Sequence, residues 1–265
     1  MNLLDIKHKA ETLLKLHDRR KILVLPNAWD AASARIFAES GFAAIATTSG
    51  GICRTFGLPD SEAIGRDQML SVVRRIAQVV EVPVTADLMA GFGATPAEVA
   101  DTARAALEAG AVGMNIEDSI GPNPPLREVE LQCERIAAAR QAAERAGVPL
   151  VINARVDTWA RQVSSGQDRI ELTIARARAY LKAGASCIYP ITVSDPADIA
   201  ALTRAIDGPV NVMMRAGVPP IAELEKLGVA RVTFGSGMML ATLALTKRIA
   251  QEIQTNGTCE LLNAP

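Results

Sequence analysis

The sequence predicts an α/β protein folded as one closed (β/α)8 TIM barrel, a single domain over residues 1–265. Three observations predict it. Eight short β-branched or alanine-rich runs alternate with longer amphipathic stretches from end to end, the pattern of repeated β-α units. Several of the long stretches end on a glycine suited to a left-handed C-cap: AESG at Gly41, LEAG at Gly110, ERAG at Gly147, LKAG at Gly184 and EKLG at Gly228. Acidic residues recur just past successive apolar runs, and in a parallel barrel those positions converge on one mouth.

An extra helix is expected at 3–18, ahead of the first strand, KILVL at 21–25, and a helix at 29–40. AAIATT (43–48) is the second strand, followed by a glycine-rich loop and a helix at 66–80. VPVTA (82–86) precedes a helix at 96–109, with Thr95 as its cap and Pro96 at its first position. VGMNI (112–116), PLVINA (149–154), SCIYP (186–190), PVNVM (209–213) and ARVTF (230–234) are the remaining strands. Helices at 127–146, 168–183, 196–206, 219–227 and 237–254 follow them in turn. The last carries Met238, Met239, Leu240, Leu243, Leu245, Ile249 and Ile253 around more of its circumference than one barrel face requires. Part of it is therefore expected to be buried by a partner. No proline- or serine-rich linker divides the chain, and GxGxxG is absent, so a separate dinucleotide domain has no support.

A net charge of −1 without blocks of like charge leaves no footprint for nucleic acid or a membrane surface. Charges run through the apolar pattern of the N-terminal segment, which fits neither a signal peptide nor a spanning helix, and a cytoplasmic location is expected. Cys53, Cys133, Cys187 and Cys259 are too scattered for a zinc site or a disulfide framework.

Asp60, Asp87 and Glu117 follow the second, third and fourth strands, spaced so that one divalent cation could collect them. The turn Thr47-Thr48-Ser49-Gly50-Gly51 offers backbone N–H groups to a carboxylate or phosphate, or is simply a tight turn. Strand alternation sends Asn115 and Glu117 inward and Asp118 to the helix layer, and it puts Asn153, Arg155 and Asp157 on one face. Arg155 there would clamp a substrate carboxylate or, alternatively, neutralise the acidic cluster. Tyr189 is a candidate proton donor or hydrogen-bonding group, Asn211 has similar standing, and His8 and His17 lie on the N-terminal helix away from the mouth.

Taken in order, PNAWDAASARI, TTSGG, GLPD, VPVTADLMAGFG, GMNIEDS, INARVD, PVNVM and GVARVTFGSGM resemble the isocitrate lyase/phosphoenolpyruvate mutase superfamily over nearly the whole chain. The resemblance implies a Mg2+- or Mn2+-dependent barrel that binds α-oxo or α-hydroxy carboxylates and makes or breaks C–C or C–P bonds through a pyruvate-type enolate. It implies that Asp60, Asp87 and Glu117 hold the ion directly or through water, and that Ser49, Gly50 and Arg155 bind the substrate carboxylate. It also implies a tetramer, a dimer of dimers that exchange their last helix. Two departures stand out. Met89 replaces the family's usual second acid, and Ser119-Ile120-Gly121-Pro122-Asn123-Pro124-Pro125-Leu126 replaces a loop that carries cysteine or lysine in the lyases and mutases. Without that cysteine, isocitrate-type cleavage loses its acid. The expectation is a Mg2+-dependent lyase on a small α-oxo dicarboxylate such as oxaloacetate. Carboxyphosphonoenolpyruvate or phosphonopyruvate mutase or hydrolase chemistry, (2-methyl)isocitrate cleavage and a non-catalytic oxo-acid-binding barrel are the alternatives.

Overall fold

The computed structural model describes residues 2–18, 21–121 and 126–263. Helix α1 (Leu3–Lys15) is capped by Asn2, whose side chain accepts the Leu4 N–H at 3.2 Å. It buries Ile6, Ala10 and Leu13, and Leu13 stands 3.0 Å from where a Cβ on Gly113 would be. The first barrel strand comes in two pieces, β1 (Leu23–Leu25) and β2 (Asn27–Ala28), because Pro26 between them has no N–H to give a ladder. The sheet continues through β3 (Ile45–Thr47), β4 (Val84–Asp87), β5 (Gly113–Glu117), β6 (Val151–Val156) and β7 (Cys187–Pro190), each parallel to the last. A parallel bridge from Ile188 to Val210 leads to β8 (Asn211–Met213), and β9 (Arg231–Thr233) pairs with both β8 and β1. That pairing closes the expected eight-stranded barrel.

Helices α2 (Ala31–Glu39), α4 (Arg66–Gln78), α5 (Pro96–Glu108), α6 (Val129–Arg145), α7 (Gly166–Lys182), α8 (Pro196–Ala205) and α9 (Ile221–Lys226) connect the strands. Thr95 and Glu98 form a capping box at α5 with Pro96 at its start, and the five expected C-cap glycines all have positive φ, from 70° at Gly147 to 108° at Gly184. One helix was not legible as such. Residues read as a glycine-rich turn form α3 (Ser49–Thr55), because Thr48 accepts the Gly51 N–H and caps a helix start there.

Alternation along the strands divides the interior into two layers. Met114, Ile116, Ile152, Ala154, Val212 and Val232 are buried in the apolar layer, whereas Thr47, Thr85, Asn153, Asn211 and Arg231 are buried as a polar filling. Beyond the barrel, α10 (Gly237–Asn256) buries only Met239 and leaves Leu240, Leu243, Leu245 and Ile253 between 44% and 50% exposed. It leads to the short α11 (Glu260–Asn263). Among the described residues no helix is long and apolar enough to cross a membrane.

His17, just past α1, is buried with Nδ1 2.8 Å from the Leu13 carbonyl oxygen and Nε2 unpartnered. Burial, aided by the Arg231 charge, lowers its pKa from 6.5 to about 4. The unfolded chain therefore takes up this proton first as the pH falls, so the associated stability is present above pH 6.5 and drains away towards pH 4, by about 3 kcal/mol across that window. Urea unfolding of wild type and His17→Gln between pH 7 and pH 4.5 checks this: the variant should lose distinctly less stability on acidification. Parallel pH profiles for the two proteins would contradict it.

Candidate active site

Strand register lays the polar residues at the mouth in two rows. Asp87 pairs with Asn115 and Asn115 with Asn153, while one step higher Glu117 pairs with Arg155 and Arg155 with Tyr189. In the lower row Asn153 Nδ2 donates to Asn115 Oδ1 at 2.7 Å, and Asn115 Nδ2 reaches Asp87 Oδ1 at 3.4 Å. Asp87 Oδ2 accepts the Ser49 N–H at 3.0 Å, and the Asp87 N–H donates to Thr47 Oγ1 at 2.9 Å. The start of α3 is thus fastened to the end of β4. Ser49 and Gly51 spend their N–H groups on Asp87 and Thr48, whereas the Gly50 N–H carries no such bond among the described residues.

Gly50 has a steric role as well. A Cβ there would lie 2.8 Å from both Asp60 Oδ2 and Ser236 Oγ, so glycine lets these two oxygens close over the helix start. Gly51 packs instead: its Cβ would meet Thr48 Cγ2 at 2.5 Å and Trp29 Cβ at 3.0 Å.

The upper row is ionic. Arg155 Nη1 lies 2.6 Å from Glu117 Oε2, while its Nε and Nη2 grip the two oxygens of Asp157 at 2.6 and 2.9 Å. The planar fork expected for a substrate carboxylate is already holding a carboxylate of its own chain, although two of its five N–H groups remain. Ser119 Oγ, 2.8 Å from Asp157 Oδ2 and 3.2 Å from Glu117 Oε1, has one proton to share between them. Asp118 turns to the helix layer, where Oδ2 accepts Arg176 Nη1 at 3.1 Å and the Tyr180 hydroxyl at 2.8 Å, and Oδ1 accepts the Asp157 N–H at 2.9 Å.

Burial pushes Glu117 up to about 7 against the pull of Arg155, with Asp157 and Asp87 adding to the rise. Burial also raises Asp118 to about 6 and Tyr189 to about 12. It works against the Arg155 charge, but Glu117 and Asp157 outweigh it and hold Arg155 above the ordinary arginine value. Asp60 is exposed on the rim, yet partial loss of water and then the Asp87 charge hold its carboxyl above the usual range, with Ser49 opposing.

A cavity of about 500 Å3 opens at this mouth, within the range of small-molecule sites. Of the expected site residues, Ser49, Asp60, Glu117 and Arg155 line it. Asp87 and Asn115 sit in the lower row, Asp87 against the Ser49 N–H, and Tyr189 and Asn211 are buried in the barrel, where Thr233 Oγ1 donates to Asn211 Oδ1 at 3.3 Å. Met89 lines the cavity with a φ of 52°, a left-handed turn that any side chain but glycine adopts reluctantly. No motif marks Arg127 and Arg161, which also face the cavity, or Ser236, which hydrogen-bonds Thr48 at 2.9 Å. The first two belong to loops after β5 and β6, which the parallel pairing of those strands sets side by side.

Among the described residues no three acids, histidines or cysteines form a ready-made metal cluster, and of the expected metal acids Asp60, Asp87 and Glu117, Glu117 lies against Arg155. What remains is Asp87 and Asp60, mutually repelling oxygens on either side of Gly50. Such a donor set fits Mg2+ or Mn2+, hard ions that keep several waters and need only one or two carboxylates. The Met89 sulfur is too soft to join them.

Comparisons with known proteins agree with this architecture. Residues 13–254 match the family model of phosphoenolpyruvate phosphomutase. The chain is 36% identical over 222 residues to protein Rv1998c of Mycobacterium tuberculosis strain H37Rv, covering 83% of this chain and 80% of that one. It is 29% identical over 218 residues to 2-methylisocitrate lyase of Escherichia coli K12, covering 79% and 71%. A crystal structure from Burkholderia cenocepacia J2315, of a protein described as a lyase/mutase, superposes with a TM-score of 0.92 at 39% identity, covering 98% of this chain and 93% of that one. With its closed parallel barrel, its two polar rows and a family match that spans nearly its full length, the chain belongs to the phosphoenolpyruvate phosphomutase family of the isocitrate lyase/PEP mutase superfamily.

Proposed function

We propose that the protein is a Mg2+-dependent lyase that cleaves a C–C bond of a small α-oxo dicarboxylate, an oxaloacetate decarboxylase-like activity. The observation that carries this reading is the cavity wall itself, which sets Asp60 and Glu117 with Arg155 at the mouth above Asp87 and, among the described residues, has no thiol in its lining. Isocitrate-type cleavage needs an acid for the departing carbanion, and Cys133 on α6 is a poor one, since burial raises its pKa further. Decarboxylation needs less.

Asp87 and Asp60 would hold the ion, with Glu117 reaching it through water. Bound there, the ion supplies Lewis-acid polarisation of the 2-oxo group. Ser49, the Gly50 N–H and the two uncommitted N–H groups of Arg155 bind and orient the adjacent carboxylate. As the bond to the leaving carboxyl group breaks, its electron pair moves into the enolate, carbon dioxide departs and a proton is needed at the neighbouring carbon. Glu117, whose carboxyl burial pushes upward, is the wall acid placed to carry this proton, while Tyr189, which burial also raises, serves as a hydrogen-bonding group. The family match favours one second reading, carboxyphosphonoenolpyruvate or phosphonopyruvate mutase or hydrolase chemistry in the same cavity.

The exposed leucines of α10 support assembly by exchange of this helix between subunits, as a tetramer. Light scattering of the intact protein should give a tetramer, and truncation after Gly235 should yield insoluble or inactive protein; an active monomer would refute the exchange.

Pyruvate release from oxaloacetate, corrected for the metal-only background, tests the activity. It should require Mg2+ or Mn2+ and fall by roughly two to three orders of magnitude in Asp87→Ala. Full activity in that variant, or turnover of phosphonopyruvate alone, would overturn the assignment. Met89→Glu adds an acid to the cavity wall and should lower the Mg2+ concentration needed for half-maximal rate; an unchanged titration would show that the site does not need this acid.

A further inference from the structure

Three guanidinium groups face the cavity, and they are not equivalent. Arg155 is neutralised at close range by Glu117 and Asp157. Arg161 stands 3.8 Å from the same Asp157 and donates Nη2 to the Gly121 carbonyl oxygen at 2.7 Å. Arg127 has no carboxylate partner among the described residues, and its buried Nε has no hydrogen-bond partner. Of the acids lining the cavity, Asp60 and Glu62 come from the segment after α3 and Glu117, paired with Arg155, from the end of β5, whereas Arg127 and Arg161 come from the loops after β5 and β6.

Both arginines are fixed at the backbone by one buried hub. The Arg127 N–H donates to the Asp118 carbonyl oxygen at 2.7 Å, and its own carbonyl accepts Arg176 Nη1 at 3.0 Å. The Arg161 N–H donates to the Asp157 carbonyl oxygen at 2.8 Å, and the Asp157 N–H is held by Asp118. Asp118 is in turn gripped by Arg176 and Tyr180, so the two side chains project from a rigid base. Positive charge held on fixed backbone at a half-buried cavity wall is the arrangement that recognises an oxyanion.

We propose that Arg127 and Arg161 form a subsite for the second acidic group of the substrate, a carboxylate or phosphonate at the end remote from the group held by Ser49 and Gly50. This deepens, and rests on, the α-oxo dicarboxylate reading. An acid that lacks the remote group leaves Arg127 without a counter-charge, and the site rejects it on that account. A dianionic substrate satisfies both ends of the cavity at once.

Calorimetric titration of the whole protein in Mg2+ with malate and with lactate, which differ at the remote carboxylate, tests the subsite. Wild type should bind malate at least about tenfold more tightly, and Arg127→Met and Arg161→Gln should each weaken malate about 10- to 100-fold with lactate little changed. Arg127→Lys, which keeps the charge, should recover part of the loss. Should Arg161→Gln fail to fold, Arg127→Met decides alone, because that side chain makes no hydrogen bond to the protein among the described residues. Variants that keep the wild-type malate-to-lactate ratio overturn the subsite while leaving the oxo-acid reading intact. A wild type that binds neither acid overturns both. 3-Phosphonolactate in the same titration shows which remote group is preferred, and binding that exceeds malate and is lost in Arg127→Met supports the subsite with phosphonate as its ligand.

Discussion

The buried carboxylate of Asp157 is the constraint on which the mouth of this barrel depends. It accepts two parallel N–H bonds from Arg155, shares the Ser119 hydroxyl with Glu117, and its backbone N–H is fixed by Asp118. Removing water from an isolated carboxylate is expensive, and here the expense is offset because a planar cation and a hydroxyl replace that water at short range. Asp118 repeats the pattern one layer out, between Arg176 and Tyr180 of α7. Through these two acids the ends of β5 and β6 and the face of α7 become one rigid unit. Glu117, Arg155, Arg127 and Arg161 all take their positions from it.

A second unit faces this one across the cavity and is built from small residues and strained turns. Gly50 leaves room for Asp60 and Ser236, and Ser49 ties the start of α3 to Asp87. The loop after β4 holds Met89 and Phe92 at positive φ, near 52° and 53°, conformations a chain keeps only where its surroundings fix them. Arg135 of α6 does the fixing, donating to the Ala90 carbonyl oxygen and, at 2.9 Å, to that of Gly93, while Glu62 accepts the Phe92 N–H at 2.7 Å. Gln132, one turn earlier on α6, donates to the Glu117 carbonyl oxygen. Helix α6 therefore sets the spacing between the two walls, and its buried arginine is a mechanical part of the site without touching the cavity.

Charge is divided between the walls. The Asp87 charge raises the electrostatic cost of Asp60, a demand a hydrated divalent cation would relieve, whereas the arginines call for anions. A small molecule with two acidic groups and an oxo group meets both demands, and so the chemistry proposed for the site follows from its electrostatics as much as from its family.

Most of the fold was legible in the sequence by itself. Eight periodic runs, the Thr95-Pro96 cap and the glycines at helix ends are local signals, and they placed every strand within a few residues because backbone geometry acts over neighbouring positions. Alternation alone assigned Glu117 inward and Asp118 outward. Local signals failed where two uses of the same residues compete: Thr48-Ser49-Gly50-Gly51 reads as a turn, but Thr48 caps a helix there, and Asp87 and Ser236 hold that start in place. Partner choice was decided by tertiary structure. The sequence offered Arg155 to a substrate, but the register that sets it beside Glu117, together with Asp157 two residues further along the same face, commits most of its hydrogen bonds within the chain. Arg127 and Arg161 carried no motif. Their joint place at the cavity depends on two loops separated in sequence by a helix and a strand, a proximity that the parallel pairing of β5 with β6 creates and no local pattern encodes.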